Sequence, residues 1–276
     1  MIRLLGRLAA GARRLGLGRL ARFGRDAADA FFRAVNRPPL HVEVDGIEVR
    51  GFLRHRSFLA HLGGGHYEKF LRSQFLAALA DADLVLDVGS HTGFYALLAA
   101  RRRPGVRVIA VEPDSYNVAA LRANVRATAA PIELVAKAAS DRSGRAVFHQ
   151  NLGTVGSSLV ERQGTGPIRV VEAETTTIDE IVGDAAPGAV LLKLDVEGAE
   201  CLALAGAERT LRSASSATAI VELNPLALAA AGSSGTELVR RLERLGFDVS
   251  FLDEEQRAVV PAGGADRKGN LLARRG

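Results

Sequence analysis

The sequence has little cysteine, few aromatic residues and no long apolar segment. Its one cysteine, Cys201, excludes a disulfide within the 276 residues and is typical of a reducing cytoplasm. Tryptophan is absent and aromatic residues make up 5% of the chain, which leaves few rings for stacking nucleic-acid bases. No apolar run approaches the roughly 20 residues of a spanning helix, and no signal-peptide pattern opens the sequence. We therefore expect a cytoplasmic protein that binds no nucleic acid.

Positive charge is concentrated at the start of the chain. The net charge is +5, and nine arginines within residues 1–37 face only Asp26 and Asp29. Leucines recur between these arginines, so this basic leader could form an amphipathic helix on a membrane surface or a partner. Glycines interrupt the pattern, which favours the alternative of a loosely ordered extension. The rest of the chain is near neutral.

Three regions follow from the order of the patterns. After the leader, residues 38–83 predict a small cap: LHVEVDGIEVRGFL alternates in period two around Asp45-Gly46, as a β-hairpin does, and an amphipathic helix follows. Residues 84–276 alternate apolar strands with helices, which predicts right-handed crossovers and a mostly parallel sheet. Within them, residues 144–188 break the rhythm with two strand-like segments, GRAVFHQ and PIRVVEAETTTI. We expect this insertion to lie over a ligand cleft.

The segment LVLDVGSHTG, residues 84–93, is the centre of the large domain. A buried strand runs through Asp87 into a turn that contains Gly89 and Gly93, and an alanine-rich helix follows. Such a turn offers backbone N–H groups to a small polar ligand. It is not the G-x-G-x-x-G of dinucleotide sites, and a carboxylate at Asp87 would repel a diphosphate but suit an ammonium. S-adenosylmethionine is favoured over NAD, and an NAD-dependent oxidoreductase is the alternative.

Acidic residues also follow the next two predicted strands. Glu112 ends the second strand, where a carboxylate can accept hydrogen bonds from both hydroxyls of a ribose. The third strand is predicted to end near Asp141, whose carboxylate would accept from the amino group of an adenine. A plain turn residue is the alternative for Asp141. Ser115 is predicted to cap the helix between these strands.

The segment LKLDVEGAE supplies the candidates for chemistry. Asp195 and Glu197 lie where the fourth core strand ends, and Lys193 precedes them. We interpret the two carboxylates as groups that orient or deprotonate an acceptor hydroxyl, and Lys193 as the cation that keeps one of them ionised. A helix start stabilised by the acidic residues is the structural alternative.

Two further assignments involve metal and histidine. Oxygen ligands at neighbouring strand ends suit Mg²⁺, and Asp195, Glu222 and Asn224 would supply them. His66 and His149 are alternative bases, although a single loop histidine is more often incidental.

Seven segments follow one another along the chain: DVGSHTGFY, VEP, ASDRSG, GSSL, TTTIDE, LLKLDVEGAE and VELNP. In these segments and their order, the chain resembles the FkbM-type S-adenosylmethionine-dependent methyltransferases from about His66 to the C-terminus. The resemblance implies a class I methyltransferase fold of the α/β type. In that Rossmann-like fold a mostly parallel seven-stranded sheet, its last strand antiparallel, carries helices on both faces. The hairpin and helix of residues 38–83 would extend it at the N-terminus.

The family methylates hydroxyls of sugars, polyketides or other natural products, so the resemblance implies a small-molecule hydroxyl acceptor. His91-Thr92 stands where many members have Asn followed by an apolar residue, so we expect different contacts to the cofactor's tail. A cofactor-binding partner protein without turnover, with the leader as its interaction arm, is the other alternative. The resemblance and the strand ends together assign the cofactor site to Tyr67, Glu68, Asp87, Gly89, Ser90, His91, Gly93, Glu112, Pro113, Ser140 and Asp141.

Overall fold

The computed structural model describes residues 27–28, 30–34, 37–65, 67–151, 157–160, 168–184, 186–263 and 267–276. Most of the basic leader, with the expectation that it contacts a membrane or a partner, lies outside these residues, and so does the candidate base His66. Within them, none of the helices has both the length and the apolar character needed to cross a membrane.

Strands and short helices alternate along most of the described chain. The strands are β1 (Leu40–Val44), β2 (Ile47–Gly51), β3 (Leu84–Val88), β4 (Arg107–Val111), β5 (Ile132–Val135), β6 (Ala138–Ala139), β7 (Gly144–Asn151), β8 (Ile168–Thr176), β9 (Ala189–Leu194), β10 (Ser216–Leu223), β11 (Asp248–Asp253), β12 (Ala258–Pro261) and β13 (Gly269–Arg275). The helices include α1 (Arg56–Gly63), α2 (Lys69–Leu79), α3 (Phe94–Arg102), α4 (Ser115–Thr128), α5 (Ile178–Val182), α6 (Glu200–Ala205), α7 (Glu208–Ser213), α8 (Pro225–Ala230) and α9 (Gly235–Arg244).

The main sheet has the strand order β12-β11-β13-β10-β9-β3-β4-β5. The strands from β10 to β5 are parallel, whereas β13 is antiparallel to both of its neighbours. The expected class I fold with an antiparallel last strand is thereby confirmed. The sheet has eight strands where seven were expected, because β12 folds back on β11 as an antiparallel hairpin at the edge.

Two apolar cores cover the two faces of this sheet. One packs α5, α6, α7 and α9 against the sheet, and the other packs α1, α2 and α3 together with the β1–β2 hairpin. Strand β3 contributes to both because its side chains alternate: Leu86 and Val88 enter the first core and Val85 enters the second. The same alternation places Asp87 on the face where α3 begins.

The predicted hairpin is confirmed and is joined to the large domain by one amide. β1 and β2 pair around Asp45-Gly46. The fully buried Asn124 of α4 accepts from the backbone N–H of Arg50 at 2.8 Å and donates to the Arg50 carbonyl at 3.0 Å. Its amide also donates to the carbonyl of Thr92 at 2.8 Å. Asn124 therefore connects the hairpin, α4 and the turn that follows β3.

The insertion forms a second sheet of three strands in the order β6-β8-β7. Both strand-like segments predicted there are strands, β7 and β8. The third predicted strand was wrong at its end: β5 stops at Val135, and the chain then crosses to pair Ala138–Ala139 with Thr175–Thr176 in the small sheet. Asp141 thus follows a strand of the small sheet and not of the main sheet.

The cap of α4 also differs from the prediction. Asp114, not Ser115, is the N-cap residue, and its Oδ1 accepts from the Tyr116 N–H at 2.8 Å. The reason is the backbone: Asp114 is extended, whereas Ser115 is already the first residue of the helix. The Asp114 carboxylate also accepts from Gln150 and Ser157, both at 2.8 Å, and so holds the insertion to the start of α4.

Candidate active site

A cavity of about 500 Å³ lies at the carboxyl ends of β3, β4, β9 and β10. Phe58 and His61 of α1 line one side, and Phe148 with Ser157 and Ser158 of the insertion line another. The volume is within the range of small-molecule sites. The insertion therefore contributes a wall of this cavity.

The turn after β3 holds its shape through its two glycines and its own hydrogen bonds. Gly89 and Gly93 have φ of 84° and 90°, values that side chains disfavour. A Cβ at Gly89 would collide with the backbone oxygen of Asp195, and one at Gly93 with the Leu121 side chain. The N–H groups of Gly89 and Ser90 donate to the Val111 carbonyl at 2.9 and 3.1 Å. These two N–H groups, which the sequence assigned to a ligand, hold β3 against β4 instead.

Asp87 joins the end of β3 to the start of α3. Its Oδ2 accepts from the Ala96 N–H at 3.0 Å, the favoured arrangement for a carboxylate at a helix N-terminus. The residue is 2% exposed and lines the cavity. Burial raises the pKa of Asp87 to about 6, although the Lys193 ammonium and the Ala96 N–H oppose that rise.

Glu112 directly follows β4 and is held by two backbone donors. Its Oε2 accepts from the His91 N–H and its Oε1 from the Asp114 N–H, both at 2.8 Å. The Asn117 side chain lies beside the same carboxylate and favours its ionised form, which lowers its pKa. Burial, with the nearby charge of Asp114, raises the pKa of Glu112 to about 8. The carboxylate lines the cavity beside Pro113.

The residues predicted to bind the adenine lie outside the lining of the cavity. Ala138 and Ala139 line the cavity in this part of the site, whereas Ser140 and Asp141 lie outside its lining. The Asp141 carboxylate accepts from the Ser140 hydroxyl at 3.2 Å and forms an ion pair with Arg142 at 3.2 Å. The alternative base His149 also lies outside the lining.

A buried cation lies at the centre of the carboxylates. Lys193 Nζ is 3.1 Å from Asp195 Oδ2, and its side chain is 3% exposed. Burial alone would lower the pKa of Lys193, but the charges of Asp195 and Glu68 outweigh it and raise that pKa above its usual value. Glu68 in turn accepts from the Tyr95 hydroxyl at 2.6 Å. Lys193 therefore stays charged: it is paired with Asp195 and is further stabilised by the charge of Glu68.

Three carboxylates lie close together near Lys193. Oxygen atoms of Asp195, Glu197 and Glu222 lie within 4.8 Å of one another. Burial, then the charges of Asp195 and Glu197, raises the pKa of Glu222 to about 10, so Glu222 is protonated at neutral pH. Two of the Mg²⁺ ligands predicted from sequence, Asp195 and Glu222, belong to this cluster with Glu197. The third, Asn224, uses its Oδ1 to accept from the Ala227 N–H as the cap of α8.

Comparison with known proteins identifies the family. The methyltransferase FkbM domain matches residues 87–249. The chain belongs to this family. One FkbM relative, the 31-O-demethyl-FK506 methyltransferase FkbM of Streptomyces tacrolimicus, is 28% identical over 189 residues, which are 54% of this chain and 72% of the relative.

Solved structures of other methyltransferases are more distant from this FkbM protein. The S-adenosylmethionine-dependent methyltransferase of Agrobacterium tumefaciens has a TM-score of 0.46 and 12% identity over 85% of this chain and 69% of its own. Cofactor-bound Rv0187 from MTB has a TM-score of 0.43 and 14% identity over 91% of this chain and 88% of its own.

As a member of the FkbM family, the protein is an S-adenosylmethionine-dependent methyltransferase, and the cavity suits that cofactor. Even with Glu112 and Glu222 protonated, the other acids of the lining outnumber its lysines, Lys193 and Lys268, so the site favours a sulfonium cation and disfavours the diphosphate of NAD. Family membership and this charge together decide against the oxidoreductase alternative. The acids of the lining are Glu68, Asp87, Glu112, Asp195, Glu197 and Glu222.

Some residues of the FkbM cavity were missed at the level of sequence. Tyr95 was treated as part of an apolar helix, although its place directly after the glycine turn could have marked it as a site residue. Phe58, whose ring lies 5.7 Å from that of Tyr67, follows no motif. Asn117 lies in α4 and comes into the site only because Glu112 is close to that helix. No local pattern indicates these two residues.

Proposed function

We propose that the enzyme transfers a methyl group from S-adenosylmethionine to a hydroxyl of a small-molecule natural product, such as a polyketide or a sugar. The arrangement of Lys193, Asp195 and Glu222 carries the proposal, since it places a paired carboxylate and a protonated one side by side in the cavity. The name of the Streptomyces relative, a methyltransferase of 31-O-demethyl-FK506, supports a natural-product hydroxyl as acceptor.

The amino-acid tail of the cofactor would lie at the turn after β3. The turn residues Gly89, Ser90, His91 and Gly93 face the amino-acid tail, with Asp87 below them. Tyr67 and Glu68 close this end, because both line the cavity and Glu68 is fixed by Tyr95.

The nucleoside end of the cofactor extends toward β4 and the insertion. Glu112 would accept from the ribose hydroxyls beside Pro113. Ala138 and Ala139 provide a flat apolar wall for the adenine, and Ser140 with Asp141 would reach its amino group from the rim.

Methyl transfer requires the protein mainly to align the acceptor with the methyl group and to remove the hydroxyl proton. S-adenosylmethionine supplies a methyl group on a sulfonium that leaves as a neutral thioether. In-line alignment of the acceptor oxygen can lower the barrier by several kcal/mol, roughly 7–11 at most. Asp195 accepts the hydroxyl proton, a contribution of roughly 10² to 10⁴ in rate. Lys193 holds the Asp195 carboxylate in place, and Glu197 orients the acceptor from the turn after β9.

A divalent cation is the second candidate for charge compensation at this cluster. Asp195, Glu197 and Glu222 are hard oxygen donors of the kind that Mg²⁺ prefers. Two features weigh against that arrangement. Lys193 already places a positive charge 3.1 Å from Asp195, and Glu222 would have to lose a proton before it could bind the ion.

Two measurements test the proposed function. Isothermal titration should show binding of S-adenosylmethionine and none of NAD. Radiolabelled methyl transfer should then be measured with a macrolide polyketide, free sugars and lipids as acceptors. We expect label in the polyketide or the sugar. The label should stay bound under every treatment that leaves ethers intact, as a methyl ether would. Cofactor binding with label only in a carboxylate, amine or lipid acceptor would overturn the assignment of a natural-product hydroxyl.

A further inference from the structure

A histidine of the N-terminal cap is linked to Glu112 through a chain of contacts that runs by way of Asn117. His55 lies just before α1 and is 3% exposed. Its Nδ1 accepts from the backbone N–H of Phe52 at 3.0 Å, and its Nε2 is 3.0 Å from Asn117 Oδ1. Asn117 and Glu112 both line the cavity, and the Asn117 side chain favours the ionised Glu112 carboxylate, which lowers its pKa. No sequence pattern assigned a role to either His55 or Asn117.

The direction of each bond in this chain is fixed. A backbone N–H can only donate, so Nδ1 of His55 must be the acceptor and the ring proton must lie on Nε2. The proton on Nε2 needs an acceptor, so the oxygen of the Asn117 amide must face His55. The NH₂ group of the same amide is therefore turned toward Glu112. A histidine protonated at Nδ1 would lose its bond to Phe52. Burial lowers the pKa of His55 to about 4, so the neutral ring with this one tautomer persists at physiological pH.

The same ring supports the turn that holds the other oxygen of Glu112. His55 packs edge-on against the His91 ring at 5.2 Å between centroids, and the His91 N–H donates to Glu112 Oε2. The histidine thus acts on the carboxylate from two sides, through the Asn117 amide and through the backbone of His91.

We infer that His55 is a positioning residue for cofactor binding: it orients the Asn117 amide so that Glu112 is held ready for the ribose hydroxyls. The inference rests on the proposed role of Glu112. A carboxylate that is already oriented loses less conformational freedom when the ligand binds, and the gain appears as cofactor affinity. His55 would then contribute to a site whose cavity it does not line.

Two substitutions separate orientation from packing. In His55→Gln, the side-chain amide reaches the place of Nε2 and can still donate to Asn117. In His55→Asn, the shorter amide reaches only the place of Nδ1, so it keeps the bond to Phe52 and loses the one to Asn117. Asn117→Asp is a third variant, which keeps the shape and the acceptor for His55 but cannot donate to Glu112. Urea unfolding of each variant reports whether it is folded.

The probes are S-adenosylhomocysteine and its 2′,3′-dideoxy analogue, titrated calorimetrically. We expect His55→Asn and Asn117→Asp to weaken S-adenosylhomocysteine binding about tenfold, the equivalent of one hydrogen bond, with His55→Gln restored to within about threefold of wild type. The dideoxy analogue should bind the wild type and all variants equally.

Two results would overturn the inference. Equal losses in His55→Gln and His55→Asn would mean that the ring only packs. Equal binding of the two probes by the wild type would instead remove the ribose role of Glu112. Neither measurement involves an acceptor, so these outcomes are independent of the acceptor proposed above.

Discussion

Lys193 Nζ and Asp195 Oδ2 are 3.1 Å apart, yet the two side chains differ in exposure: 3% of Lys193 and 32% of Asp195 can be reached by solvent. The cation is therefore enclosed while the carboxylate faces the cavity. A pair arranged in this way keeps its charge compensation inside the protein and leaves the carboxylate accessible from the cavity, as the proposed proton transfer requires.

Asp195→Asn tests this arrangement directly. The amide keeps the shape of the side chain but cannot take a proton, so we expect turnover to fall by roughly 10² to 10⁴ while S-adenosylmethionine affinity stays within a few fold. Glu197→Gln should also reduce turnover strongly. The measurements are radiolabelled methyl transfer and calorimetric titration. Glu255→Gln, an exposed carboxylate outside the cavity, is the control. Full activity in both site variants would disprove the catalytic assignment.

Removal of divalent cations should leave methyl transfer intact. Lys193 already compensates the charge of Asp195, so dialysis against EDTA is expected to change the initial rate by less than about twofold. The rate is measured before and after addition of Mg²⁺. A loss on chelation that Mg²⁺ restores would show instead that Asp195, Glu197 and Glu222 bind the ion.

Glu222 should make the stability of the fold depend on pH. Its pKa is about 10 in the folded protein against 4.5 as the ordinary value, so the folded state retains a proton that the unfolded chain releases. The stability that Glu222 contributes is present in full below about pH 4.5 and is lost as pH rises toward 10.

Glu222→Gln removes this titration. We expect its free energy of unfolding to exceed that of the wild type by an increasing margin between pH 6 and pH 9, by at least about 1 kcal/mol over that interval. Urea unfolding at each pH measures the margin, and Glu255→Gln should show none. A margin independent of pH would mean that Glu222 is ionised in the folded protein.

Asn124→Ala should destabilise the whole domain. The substitution leaves the N–H and carbonyl of Arg50 and the carbonyl of Thr92 without their partner in a buried place, and we expect a cost of about 2–4 kcal/mol. Urea unfolding measures it. Arg122→Ala, an exposed position of the same helix, should stay within about 0.5 kcal/mol of the wild type. A similarly small effect of Asn124→Ala would show that the hairpin is held by apolar packing alone.

The sequence was informative where local pattern and tertiary structure coincide. A buried strand, two glycines and a helix are neighbours along the chain, so the turn around Gly89 could be predicted, and so could Glu112 at the next strand end. Parallel strands bring their carboxyl ends together, which explains why Asp195 could be assigned to the same cleft.

Other features depend on contacts that no local pattern encodes. The chain leaves the main sheet after Val135 because the small sheet offers Ala138–Ala139 a partner almost 40 residues further on. Asp114, not Ser115, caps α4, and the same carboxylate also binds Gln150 of the insertion, 36 positions further along the chain. His55 and Asn117 are separated by 62 positions, and their relation to Glu112 exists only in the folded protein.

The contacts of Asn124 bear on where the catalytic unit begins. The family match starts at Asp87, inside β3, yet the buried amide that supports the turn after β3 is satisfied by Arg50 of the hairpin. A fragment cut at the start of the family match would lose that partner. Any exchange of catalytic units between relatives should therefore carry residues 40–86 together with the match, because the part of the chain that folds as one unit is longer than the part that the family match covers.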